Sequence, residues 1–170
     1  MRKVYLLGFV MILLSGCGYH LAGKADLDPV FENSHVSYQN RGRVIAELLE
    51  KQFEVNGVNL VSKEEASALV NVLYERREKD ILSVDEEGKV REYELILLVG
   101  IDVRDVEGNK LMRDQNIRLT RDLLFDIDDV LGKGSEENKI YQEMQEDVAR
   151  LILYRLQAVS SVVDDTQEEK

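Results

Sequence analysis

The chain has 170 residues, with 22 Lys and Arg against 33 Asp and Glu, and therefore a formal net charge of −11. This length suits one domain with a hydrophobic core, and 44% hydrophobic with 32% charged residues is the composition of a globular chain. The acidic balance argues against nucleic acid as a partner, because phosphate binding needs a surplus of Lys and Arg. A single cysteine excludes an intramolecular disulfide and a cysteine-cluster metal site.

The first sixteen residues predict a bacterial lipoprotein signal peptide. Arg2 and Lys3 form a basic start, the apolar run Val4 to Leu14 follows, and the segment closes on Leu14-Ser15-Gly16-Cys17. That run is too short to span a bilayer, and small residues before a cysteine match the lipobox, whose thiol receives a diacylglycerol. An ordinary signal peptide followed by a buried cysteine is the alternative. We predict cleavage after residue 16 and lipidation of Cys17.

Lipidation at Cys17 predicts a permanently membrane-anchored protein, because each buried acyl methylene contributes ~0.8 kcal/mol. Residue 18 is Gly rather than the Asp that favours retention in the inner membrane, so an outer-membrane location is compatible. Cleavage leaves 20 Lys and Arg against 33 Asp and Glu, a net charge of −13. The mature chain is therefore expected to be acidic, lipid-anchored and on the periplasmic side of the outer membrane.

Hydrophobic periodicity predicts one α+β domain at 34–157, between a lipid-anchored tether at 17–33 and a disordered acidic tail at 158–170. Alternating apolar residues indicate strands and i, i+3, i+4 spacing indicates helices, with Asn56-Gly57 as a C-cap and Ser135 as an N-cap. Gly88 and Gly108 mark turns. One face of the long strand is apolar and needs to be covered, with Tyr93, Leu95, Leu97, Val99, Ile101 and Val103. The predicted elements are strands at 35–39, 68–81, 89–106 and 110–125, an extended piece at 58–61, and helices at 41–54 and from Ser135 to about Leu156. Two amphipathic helices can cover one face of such a sheet, which predicts a two-layer sandwich on a four-stranded, mostly antiparallel sheet.

The sequence offers little for catalysis, and we predict neither an enzyme nor a cofactor. His20 and His35 are the only histidines, and neither has metal-ligand or triad spacing. Gly132-Lys133-Gly134-Ser135 resembles part of a phosphate loop but lacks the upstream glycine, so a flexible loop is the better interpretation. The carboxylates at 126–129 are interpreted as a solvated acidic loop rather than a calcium site, since the EF-hand spacing is missing.

Arginines are concentrated on the predicted strands, and their planar forks suit phosphate or carboxylate groups. The structural alternative is pairing with acidic residues on neighbouring strands, which we favour for most of them. Lys133, in a loop beside the open end of the sheet, has no evident structural role. The strand arginines are Arg76, Arg77, Arg91, Arg104, Arg113, Arg118 and Arg121.

Four segments resemble the LptE family of lipopolysaccharide-assembly lipoproteins. Cys17-Gly18-Tyr19-His20-Leu21 follows the lipobox, and Val55-Asn56-Gly57-Val58-Asn59-Leu60 ends the first helix. Arg91-Glu92-Tyr93-Glu94-Leu95 opens the long strand, and the last helix matches from Glu137 to Leu156. The resemblance covers most of the mature chain in the same order.

The resemblance implies a two-helix, four-stranded sandwich that plugs the outer-membrane barrel LptD, helps it assemble and binds lipopolysaccharide during delivery to the cell surface. In the family, basic residues at the loop end of the sheet contact lipopolysaccharide, and Lys133 falls on one such position. A second basic position falls near Asp85-Glu86-Glu87, an acidic turn that departs from the family pattern. Lys89 or Arg91 can substitute there.

Two other functions remain as alternatives. A periplasm-facing lipoprotein could carry a small lipid in an apolar groove without a barrel partner. An enzyme is the third class, and the chain lacks a His, Cys or Ser constellation for it.

The anchor can be tested directly. We expect Cys17→Ala to leave the protein without acyl chains, because the alanine has no thiol to form the thioether. Intact mass spectrometry of detergent-extracted protein checks this, with the wild type heavier by its acyl groups. A wild-type protein of unmodified mass would contradict lipidation at Cys17.

Overall fold

The computed structural model describes residues 27–124 and 130–164, with side chains described for residues 27–124 and 134–159. Within these ranges, five strands form one sheet and two helices pack together against one of its faces. In chain order the elements are β1 (Asn33–Tyr38), α1 (Arg43–Asn56), β2 (Asn59–Leu60), β3 (Ala68–Val84), β4 (Val90–Asp105), β5 (Gln115–Leu124) and α2 (Val130–Asp164), after a 3-10 turn at Pro29–Phe31. The predicted α+β class is confirmed.

The predicted four-stranded, mostly antiparallel sheet is close to the observed one, which has a fifth, two-residue strand and is mixed. Its order is β2-β1-β3-β4-β5, and β1 runs parallel to both β2 and β3. α1 returns the chain to the starting end of β1, so the strands that follow on either side are parallel to it. The extended piece predicted at 58–61 becomes the two-residue strand β2. Only the β3–β4–β5 meander is antiparallel.

The core lies between the sheet and the two helices. Alternate residues of β4 face the helices as predicted and are at most 1% exposed. They belong to one hydrophobic cluster with fully buried side chains of both helices. The β4 residues are Leu95, Leu97, Val99, Ile101 and Val103, and the helix residues include Ile45, Leu49, Phe53, Met144, Val148 and Ile152.

The two helices differ in how closely they match their predicted ends. α1 ends at the predicted cap, where Gly57 has φ +85° and its N–H donates to the carbonyl of Glu54. α2 begins before the predicted N-cap Ser135 and continues beyond Leu156 to Asp164. Gly and Ser weaken a helix interior by only about 0.5–1 kcal/mol each, so a segment held by packing can extend through them. The first seven residues of the predicted tail, 158–164, are therefore helical.

β3 and β4 form a ribbon of 17 and 16 residues that projects beyond β1. The pairing of β1 with β3 stops at Tyr38 and Val72, twelve residues before β3 ends. β5 is shorter than predicted, because Lys110 makes only an isolated bridge to Arg104 and the regular ladder starts at Gln115. α2 packs on the projecting half of the ribbon and β1 does not reach it.

A bulge in β3 reverses which residues face the helices. The register shifts between Val72 and Tyr74. Before the shift, Val70 and Val72 lie in the core. After it, charged residues face α2, as their contacts with that helix show: Glu75 with Gln145, Arg77 with Tyr141 and Lys79 with Glu137.

The turn between β3 and β4 is held by Asp85, as the predicted Asp-Glu-Glu-Gly turn requires. Its carboxylate accepts the backbone N–H groups of Glu87 and Lys89, each at 2.9 Å, and Gly88 has φ +80°. The N–H of Lys89 is the main cause of a lowered pKa for Asp85; the N–H of Glu87 and the charges of Lys89 and Arg91 add to it. The turn thus favours the ionised carboxylate.

The lowered pKa of Asp85 predicts how the stability of the protein responds to acid. Because the pKa of Asp85 is lower in the folded state, its ionised carboxylate stabilises the fold at pH values above the ordinary pKa of 3.8. This stabilisation is lost as the pH falls through the folded-state pKa. We expect Asp85→Ala to lower the melting temperature at neutral pH, with the difference from wild type shrinking as the pH falls below 3.8. Thermal unfolding of both proteins across this range is the measurement. Glu86→Ala serves as the control, and a pH-independent difference for Asp85→Ala would contradict the assignment.

Candidate functional site

The β3–β4 turn and the start of α2 lie at one end of the sheet, here called the hairpin end (residues 79–93, 121–124 and 130–141). Lys79 Nζ lies 2.6 Å from Glu137 Oε2, and the Tyr141 hydroxyl donates to the carbonyl of Glu78 at 2.6 Å. Both contacts hold the first turns of α2 against the projecting ribbon. The pKa of Tyr141 is raised, mainly because its hydroxyl is buried there.

The structure brings two of the predicted lipopolysaccharide contacts to this end with their side chains exposed. Lys89 Nζ lies 2.7 Å from Glu87 Oε2 in the turn, so part of its charge is neutralised locally. Arg91, two residues later, is exposed and forms no ion pair with the described part of the chain. Of the two, Arg91 is the better placed for an added anion.

The other two predicted site residues are only partly or not at all described. The backbone of Lys133 lies in α2, one turn before Glu137, and therefore at the hairpin end. Its side chain lies outside the described residues. The position is helical rather than the loop that the sequence predicted. Cys17 lies outside the described residues, so its lipidation stays a prediction.

Lys79 is a basic residue at the hairpin end that sequence analysis missed. Its ammonium lies 4.2 Å from the centroid of the Tyr93 ring while it pairs with Glu137, and its side chain is about one-third exposed. The β3 bulge determines the position of Lys79, because it turns the charged residues after Val72 toward the helices. A bulge cannot be located from alternation alone when both faces are polar.

Exposed apolar side chains accompany these cations. Ile81 is 62% exposed, Leu82 50%, Val84 54% and Leu124 67%. All four lie on the last residues of β3 or at the end of β5 beside Glu92. Exposed aliphatic groups next to cations match a ligand that carries both acyl chains and phosphates, since apolar burial and charge pairing act on different parts of it.

Most strand arginines are paired with carboxylates, as the structural alternative predicted, although few of these pairs cross between strands. Arg118 pairs with Glu94 across strands at 3.5 Å. The others bond a residue two positions away or a carboxylate on α2. These pairs are Arg76 with Glu78, Arg77 with Glu75, Arg104 with Asp102 and Arg121 with Asp147. The Asp102 carboxylate raises the pKa of Arg104 by hydrogen bonding and charge.

The described residues show neither a metal-binding cluster nor a membrane-spanning helix. Residues 27–124 and 134–159, whose side chains the structure describes, contain no group of three His, Cys, Asp or Glu placed to hold a metal ion. No helix within residues 27–124 and 130–164 has the length and hydropathy needed to cross a bilayer. His35 is used structurally, with Nδ1 lying 3.0 Å from the carbonyl oxygen of Val61.

Comparison with known proteins identifies the family. Residues 30–156 match the LptE family model, described as lipopolysaccharide-assembly. The LPS-assembly lipoprotein LptE of Photorhabdus laumondii is 27% identical over 166 residues, covering 97% of this chain and 90% of that protein. No enzyme is named by this description or this relative.

Two solved structures share the fold. Uncharacterized lipoprotein B of Nitrosomonas europaea, solved by NMR, is 32% identical with a TM-score of 0.72, covering 85% of this chain and 94% of that one. The rare lipoprotein B of Shewanella oneidensis is 24% identical with a TM-score of 0.65, covering 76% of this chain and 98% of that one. With the family model matching most of the described domain, the chain belongs to the LptE family of lipopolysaccharide-assembly lipoproteins.

Proposed function

We propose that this chain is an outer-membrane lipoprotein, anchored through Cys17, that plugs and helps assemble the LptD barrel and binds lipopolysaccharide during its delivery to the cell surface. The observation that carries the lipid-binding part is the meeting of cations and exposed apolar side chains at the hairpin end. Family membership supports the role in lipopolysaccharide assembly. Catalysis forms no part of the proposal.

The hairpin end provides both interactions that an amphiphile needs. Arg91 and Lys89 offer charged donors for a phosphate, with Lys133 carried by the first turns of α2 at the same end. Ile81 and Val84 are more than half exposed and offer aliphatic surface. The acidic turn limits the number of anions that can approach, so the lipid phosphate must lie on the Arg91 side, away from Glu87.

The face of the sheet opposite the helices supports the plug role. It carries charged pairs, Arg76 with Glu78 and Arg118 with Glu94, rather than a continuous apolar surface. Tyr74 lies across Gly100, where an added Cβ would meet the ring at 2.4 Å, and its hydroxyl donates to Asn116. The lumen of an outer-membrane barrel is polar, so a domain lodged in it needs a surface of this kind.

A lipid carrier without a barrel partner has no comparable support in the described residues. Such a carrier needs an enclosed apolar cavity, and small-molecule sites usually have volumes of about 300–1,000 Å³. Two open clefts, beside Leu27 and beside Arg41, have volumes of about 270 and 260 Å³. Neither encloses a ligand of acyl-chain length.

The barrel partnership predicts a stable complex. We expect the tagged wild-type lipoprotein, extracted in mild detergent, to co-purify with LptD as a heat-modifiable barrel, because a lodged plug is retained when the membrane is dissolved. Electrophoresis of heated and unheated samples with mass spectrometric identification measures this. An unrelated outer-membrane lipoprotein with the same tag controls for incidental capture. Isolation of this chain as a lone monomer would contradict the plug role.

The lipid site predicts a local charge effect. We expect Arg91→Asp combined with Lys133→Asp to weaken lipopolysaccharide binding at least about tenfold, equivalent to ~1.4 kcal/mol, because two attractive contacts become repulsive. Binding of purified lipopolysaccharide to the folded, unacylated domain is the measurement, with circular dichroism as a folding check.

The matched control for that double variant is Lys63→Asp combined with Arg43→Asp. It changes the net charge equally, at exposed residues in the β2–β3 loop and on α1. If control and test variants weaken binding to the same degree, only the global charge matters and the hairpin end is not the site.

A further inference from the structure

The projecting half of β3 has a free edge. β1 pairs with β3 only as far as Val72, and the chain leaving β1 makes two last contacts, from the Gln39 N–H to the carbonyl of Val72 and from Asn40 Nδ2 to the carbonyl of Leu73. From Tyr74 to Val84, β3 pairs with β4 on one side and with no described strand on the other. This edge is longer than an average strand of about five or six residues.

The backbone groups that face the free edge can be assigned. Along a strand, the direction of the N–H and C=O groups alternates together with the side chains. Val72 faces the helices with its side chain, and its carbonyl points toward β1. After the bulge, Glu75, Arg77 and Lys79 face the helices, so their N–H and C=O groups point to the free edge. Glu78 points the other way, and its carbonyl accepts the Tyr141 hydroxyl between β3 and β4.

A basic cleft lies directly on this edge. It has a volume of about 260 Å³ and is lined by Arg41, Val44, Glu75 and Arg77. The Glu75 side chain is 5% exposed. Its Oε1 accepts from Arg77 Nε and from Gln145 Nε2, and its Oε2 has no hydrogen-bond partner among the described residues. Arg77 is thereby held in place.

The cleft has an excess of positive charge, which favours the binding of an added anion. Arg41 is exposed and pairs with no described residue, so two guanidinium groups face the single carboxylate of Glu75. The adjoining start of α1 also lacks its usual acceptors, because Gly42 provides no side-chain cap and the first turn has no acidic residue. A carboxylate placed there would meet both arginines.

We propose that an extended segment of the LptD barrel adds to the sheet along the free edge of β3, beyond the end of β1, and places an acidic side chain between Arg41 and Arg77. The proposal rests on the proposed function and specifies the surface and mode of docking. Backbone hydrogen bonds to Glu75, Arg77 and Lys79 provide the affinity, and the cleft provides the register.

Electrostatic repulsion argues against a second copy of this chain, rather than an LptD segment, as the partner at the free edge. Two mature copies would each bring a net charge of −13, and pairing edge to edge would place basic clefts close together. The charged residues of β3 and its bulges are features by which free edges resist unspecific pairing, so a partner must match them. A partner strand with an acidic residue opposite Arg41 would match the charge of this edge.

Hydrogen exchange on the purified barrel complex and on the isolated domain tests the docking. We expect the amides of Glu75, Arg77 and Lys79 to exchange at least about 100-fold more slowly in the complex, because a partner strand would bond them. The amides of Arg76 and Glu78 point toward β4 and should be protected in both samples. If the complex is intact but the three edge amides exchange as fast as in the free domain, the docking mode is wrong and the plug role stands.

Other occupants give different results in the same experiment. Protection that grows with concentration in the isolated domain would assign the edge to a second copy and overturn the proposal. Protection by lipopolysaccharide micelles without the barrel would assign the cleft to a phosphate and also overturn it. If no barrel co-purifies, it is the proposed function that fails.

The variant Arg41→Glu tests whether the partner places an acidic side chain against Arg41. Arg41 is exposed and pairs with no described group, so the fold should survive the substitution. We expect it to reduce barrel binding about tenfold in competition with the wild type, because a repulsive carboxylate replaces an attractive guanidinium. Arg43→Glu is the matched control, because Arg43 lies two residues further along, on α1, and pairs with the exposed Glu47. Equal loss in both variants would overturn the assignment of the cleft.

Discussion

Alternate residues of β4, from Leu95 to Val103, are buried against the two helices, and every other feature of the domain depends on that contact. A sheet with one apolar face must be covered, and burial contributes about 25 cal/mol for each Å² removed from water. β4 is the strand that pairs with both β3 and β5, so fixing it under α2 fixes the whole antiparallel ribbon. The remaining strands, β1 and β2, then complete the sheet on one side only.

The unequal lengths of β1 and β3 create the two surfaces at which we propose that partners bind. Because β1 ends opposite Val72, the distal half of β3 is covered by α2 and paired with β4, but no described strand lies along its other side. Its charged residues are held in that position by polar contacts with α2 rather than by apolar packing. One consequence is a free edge beside Arg41, and the other is a hairpin end that carries cations and exposed aliphatic groups together.

Positive and negative charges are unevenly distributed over the strands of this acidic protein. Carboxylates neutralise most strand arginines, either within a strand or from α2. Arg41 and Arg91 have no described ion-pair partner, and they lie at two different places, beside the β3 edge and at the hairpin end. We propose a polypeptide partner at Arg41 and a lipid at Arg91, and this separation would let both bind at the same time.

The sequence alone determined the α+β class, the inward face of β4, the caps and turns at Gly57, Gly88 and Gly108, and the resemblance to LptE, because periodicity, turn chemistry and motifs are local. Tertiary structure decided the rest. Parallel pairing of β1, the bulge after Val72 and the extension of α2 beyond Ser135 and Leu156 depend on contacts between residues far apart in sequence. The free edge and the cleft at Arg41 follow from where one strand stops beside another, which no local pattern records.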